Sequence, residues 1–78
     1  MIRRLVHNLT HRHEPATTDG AVVLCRRRRI DRTDVHVTVG VTRWRVEAVT
    51  VDEFADLLNA ETASELAYVA EQLGEVQP

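Results

Sequence analysis

The chain has 78 residues, a formal charge of −2, one cysteine and ten basic side chains, all arginine. A chain this short forms one small domain that buries only about 60% of the surface its unfolded form exposes. With Cys25 alone it cannot be stapled by disulfides, so the lone thiol argues for a reducing compartment and marginal stability argues for self-association as a homo-oligomer. No stretch approaches the roughly 18 apolar residues of a membrane span. The start, "MIRRLVHNLTH", has no small-residue cleavage site after its apolar residues, so no signal peptide is expected and the location is read as cytoplasmic.

In chain order, Ile2, Leu5, Val6 and Leu9 fall at helical spacing and predict a short N-terminal helix or arm over 2–13, ended by Pro15. "PATTDG" (15–20) is a loop with a turn signal at Asp19-Gly20. Ala21 to Ile30 reads as a strand, and Asp31 to Asp34 as a polar turn. From Val35 to Val41 the valines alternate with His36, Thr38 and Gly40, while Trp44, Val46 and Ala48 are apolar on even numbers. The phase therefore slips by one near 41–43, which requires a tight turn or a bulge. The reading is a three-stranded antiparallel sheet over about 21–49.

Two helices follow. Thr50 and Glu53, and again Thr62 and Glu65, have capping-box spacing. They start helices over about 51–59, with Val51, Phe54, Leu57 and Leu58 inward, and 63–73, with Leu66, Val69, Ala70 and Leu73 inward. Gly74 stops the second helix, and residues 75–78 are expected to fray. The whole is a single α+β domain: an N-terminal arm (1–20), a basic sheet (21–49) and an acidic helical pair (50–74).

Charge carries the functional signal. Residues 1–45 hold ten arginines against four acids, leaving +6; residues 46–78 hold eight acids and no base, leaving −8. A basic half can follow a polyanion, but the two halves can equally attract each other. "LCRRRRIDRTD" concentrates the question. In a strand Arg26 and Arg28 point one way and Arg27 and Arg29 the other, so two of them share the face of the valines. Uncompensated charge there is costly. The strand must run past the core, or the stems must snorkel, or carboxylates of the acidic helices must cover the arginines.

The functional reading is a non-enzymatic accessory protein that binds nucleic acid. Its phosphate contacts are Arg26, Arg27, Arg28, Arg29, Arg32, Arg43 and Arg45, with no reading of bases. The other reading is a protein-interaction module, of the kind compact mobile-element genomes encode, docking on an oppositely charged protein. Trp44 between two arginines resembles a stacking platform, but its phase with Val46 assigns it to the core. His7 and His11 are spaced i, i+4 with His13 nearby. Even with Cys25 they match no recognised metal spacing, and no metal or other cofactor is expected. Cys25 is read as a small buried hydrophobe and His36 as a surface residue. No nucleophile elbow, phosphate loop or carboxylate pair appears, so no catalytic residue is assigned.

Overall fold

The computed structural model describes residues 11–27 and 32–78, with the side chains of His11 and Arg27 left aside. Residues 2–10 of the expected N-terminal helix or arm and the last arginines of the run, Arg28 and Arg29, lie outside the described residues, while residues 11–13 of that expectation belong to a strand. The elements are β1 (His11–Pro15), β2 (Val22–Arg27), β3 (Thr33–Val39), β4 (Thr42–Val46), α1 (Val51–Leu58), α2 (Ala63–Leu73) and β5 (Glu75–Val76). They form one antiparallel sheet in the order β1-β2-β3-β4-β5, with both helices packed on one face.

The α+β class holds, but five strands replace the expected three. One extra strand comes from the segment read as arm and loop. His11–Pro15 carries no apolar alternation and pairs with β2 through its backbone, from His11 opposite Arg27 to Pro15 opposite Val23. Pro15 is tolerated because it ends an edge strand. The other comes from the expected frayed end. Glu75 lies opposite Arg45, Val76 lies opposite Trp44, and the amide of Gln77 donates to the Arg43 carbonyl at 2.8 Å.

The phase slip near Val41 is the β3–β4 hairpin turn. Val39 pairs with Thr42, leaving Gly40 and Val41 as a two-residue loop. Gly40 takes φ +61, which glycine adopts without strain, and Val41 is fully exposed. Odd-numbered residues therefore face the helices in β3 and even-numbered ones in β4. The shared core is Val22, Val35, Val37, Trp44, Val46, Leu57 and Ala70, lined by half-buried Leu24, Phe54, Leu66 and Leu73. Each fully buried valine or leucine contributes about 1.5–3 kcal/mol relative to exposure.

The helix starts follow the cap signals. Thr50 accepts from the Glu53 amide and Glu53 accepts from the Thr50 amide, completing a capping box. At α2, Thr62 accepts from the Glu65 amide, but the Glu65 carboxylate takes the Glu61 amide at 3.0 Å instead of that of Thr62. Two residues expected inward on α1 point out: Val51 is 84% and Leu58 43% exposed. Gly74 has an ordinary φ of −138. What demands glycine there is proximity, since a Cβ would collide with the Arg45 carbonyl, and that contact lets α2 turn directly into β5.

Candidate functional site

The face of the sheet opposite the helices is polar, and the strand register dictates its composition. Along its rows, His13 lies beside Cys25 and Cys25 beside Asp34, while Val23 lies beside His36 and His36 beside Arg45. Asp34 is 1% exposed. It compensates its burial with four hydrogen bonds. Arg32 donates from Nε to Oδ1 at 2.8 Å and from Nη2 to Oδ2 at 3.0 Å. Arg45 Nη2 donates to Oδ2 at 3.1 Å, and the Ala48 amide to Oδ1 at 3.0 Å. The paired guanidinium of Arg32, with the Ala48 amide and Arg45 adding to it, holds the Asp34 carboxyl well below the usual carboxylate range. Glu47 lies 3.7 Å from Arg32 Nη2 and 3.8 Å from Arg45 Nε. Arg45 Nε is itself buried with no hydrogen-bond acceptor among the described residues.

The Ala48 amide reaches Asp34 because Ala48 sits at φ +50, a left-handed conformation uncommon for a residue with a Cβ. The bond to a buried carboxylate offsets that strain. Nothing in the sequence around Ala48 announces it.

The arginines singled out by the sequence do not form one ribbon. Arg32 and Arg45 converge on Asp34 and are committed to it. Arg26 is exposed opposite Thr33, at the end of β2, on the face that carries Val22 and Leu24. It satisfies the direction problem by running past the core, in a shallow depression it shares with Val49, Val51 and Phe54. Arg43 is exposed opposite Thr38, on the other face and toward the other end of the strands. Five residues of β3 separate their rows, roughly 16 Å of strand. Trp44 is buried in the core and its indole N–H donates to Glu71 Oε2 at 2.7 Å, so it is no stacking platform.

A different grouping of cations does appear. The β1–β2 register sets Arg12 opposite Arg26. Like charges directly across a strand pair are unfavourable. Arg12 is relieved by Glu14, 3.0 Å from its Nε. The carboxylates in described ion pairs are Glu14, Asp34 and Glu47, all from the sheet and its turns. None comes from α1 or α2, although residues 51–73 hold six acids and no base. The acidic helices thus do not cover the described arginines.

Sequence reasoning missed Asp34 as the centre of the polar face and missed the approach of His13, Cys25 and His36. Both depend on which residues lie across from each other, which strand pairing alone supplies. Comparison of the chain with protein-family models, with curated proteins and with solved structures finds no match. Among the described residues no helix is long and apolar enough to cross a membrane.

Proposed function

We propose that the protein is a non-enzymatic accessory factor that binds the phosphate backbone of nucleic acid without reading bases. Its contact surface is narrower than the seven arginines of the sequence reading. Arg32 and Arg45 are set aside because their guanidiniums already hold Asp34. Arg43 is set aside because it lies at the far end of the other face. The described part of that surface is Arg12 and Arg26 at the end of the β1–β2 pair; Arg27, Arg28 and Arg29 follow Arg26 in the sequence.

The observation that carries this reading is the opposition of Arg12 to Arg26. A chain that wanted these strands paired for stability alone would gain by alternating charge across them. A polyanion lying across the strand ends relieves the repulsion and gains charge-assisted hydrogen bonds from the planar guanidinium forks.

The test replaces Arg26, Arg27, Arg28 and Arg29 by glutamine and measures binding of a labelled single strand and duplex at low salt. The expected result is a variant with unchanged circular dichroism and binding weakened by at least about a hundredfold. Unchanged binding, or loss of the fold, overturns the reading.

A second reading, docking on a protein, is favoured by the groove between α1 and α2. It has a volume of about 570 Å³, an apolar floor of Ala60, Val69 and Leu73, and Asp56 and Glu65 on its rim. Tyr68 beside it is 68% exposed. This chemistry suits a partner that presents an apolar side chain flanked by basic residues, and Tyr68→Ser would weaken such a complex while leaving nucleic-acid binding intact.

A further inference from the structure

The polar face holds a second cluster that the nucleic-acid reading does not use. His13 comes from β1, Cys25 from β2 and His36 from β3. Their ligand atoms, two imidazole nitrogens and the thiol sulfur, all lie within 4.8 Å of one another. The imidazole rings of His13 and His36 meet edge to face with centroids 6.0 Å apart. Cys25 is 2% exposed, His36 is half-buried and His13 is exposed, so the sulfur forms the floor and the imidazoles the open side.

We propose that His13, Cys25 and His36 form a three-ligand site for one zinc-type divalent ion, with the fourth position open to water or an anion. The donor set decides the ion. One thiolate with two neutral imidazoles suits borderline-soft metals and is a poor match for calcium or magnesium, which take oxygen ligands. The geometry is close to what the ion needs. With metal–sulfur near 2.3 Å and metal–nitrogen near 2.0–2.1 Å, the edges of a tetrahedron with one sulfur and two nitrogens are about 3.3–3.6 Å. Closing from within 4.8 Å needs at most about 1–1.5 Å of side-chain rotation, which the exposed His13 can supply without moving a strand.

The surroundings agree. His13 is the direct cross-strand neighbour of Cys25, so the pair is held by sheet hydrogen bonding. Asp34, on the other side of Cys25, has its oxygens occupied by Arg32, Arg45 and the Ala48 amide. Its charge is met by those two guanidiniums, and it is not counted as a ligand. His13 and His36 also line a shallow depression together with Val23, Thr38 and Arg43. The exposed Arg43 there favours an anionic fourth ligand. Binding removes the thiol proton, so affinity rises with pH.

The alternative is that Cys25 merely packs between two imidazoles. A titration of the full chain under reducing conditions with Co²⁺, followed by displacement with Zn²⁺, separates the two. The proposal expects one equivalent of Co²⁺, a thiolate-to-cobalt charge-transfer band, and bleaching of that band by Zn²⁺. His13→Gln and His36→Gln, both at partly exposed positions, are each expected to weaken binding by more than about a hundredfold, beyond the loss typical of removing an outer hydrogen bond. Cys25→Ser is expected to abolish the band. Zn²⁺ should raise the melting temperature of the wild-type chain and not that of His36→Gln. Absence of stoichiometric binding by the wild-type chain, or binding by the two histidine variants equal to wild type, overturns the proposal. A band that survives in the double histidine variant also overturns it, because the metal would then be held by the thiol without its imidazoles.

Discussion

The two faces of the sheet are made from alternate residues of the same strands, yet they are stabilised by different physics. On the helix side, Val22, Val35, Val37, Trp44 and Val46 meet Leu57 and Ala70 in a dry core. On the other side, Cys25 and Asp34 are as deeply buried as those valines, but under imidazoles and guanidiniums. The first face is non-directional: any well-filled apolar set would serve. The second depends on particular atoms, because a buried carboxylate is tolerable only while its hydrogen bonds are complete. Structure is distributed over the core face and concentrated in Asp34 on the polar face.

The sharpest way to break this comparison is Asp34→Ala. It leaves two partly buried guanidiniums and the amide of a strained residue without their acceptor, and it should cost about 3–4 kcal/mol in urea unfolding. That is most of the stability of a domain this small. Leu57→Ala, the matching lesion on the core side, should cost about 3 kcal/mol through lost burial and a residual cavity. If Leu57→Ala proves much the more damaging, the polar face is not a structural pivot.

Acid should separate the faces further. Asp34 has its carboxyl pKa depressed in the fold, so its contribution is complete above the unfolded value of about 3.9 and is lost as the pH falls toward the folded one. Thermal unfolding should therefore show a falling melting temperature below about pH 4 in the wild-type chain, and Asp34→Asn should flatten that part of the profile. A smaller effect is expected at Ala48. Its left-handed backbone costs roughly 1–2 kcal/mol, and glycine removes that cost while adding unfolded-state entropy. Ala48→Gly should stabilise the chain by about 0.5 kcal/mol in the same assay.

The contrast also explains what the sequence could reveal. Helix boundaries were legible because Thr50, Glu53, Thr62 and Glu65 are local signals whose partners lie three or four residues away. The turn at Gly40-Val41 was legible because the valine phase breaks there. β1 was not legible: "HRHEP" has no apolar face and forms a strand only because β2 offers its backbone. Nor was the polar cluster, because His13, Cys25, Asp34 and His36 are joined by register across three strands. The arginines were conspicuous as composition, but only strand pairing could separate Arg32 and Arg45, which serve Asp34, from Arg26, which does not.

The proposed function stands or falls on whether Arg26 and the arginines that follow it in sequence take up phosphate. The salt dependence of binding tests it most directly. With Arg12 already paired to Glu14, contacts from Arg26 through Arg29 would neutralise about four phosphates. A plot of log affinity against log salt should then fall with a slope near −3.6 for duplex and near −2.8 for single-stranded nucleic acid. A slope near zero, or no binding at low salt, would contradict the account.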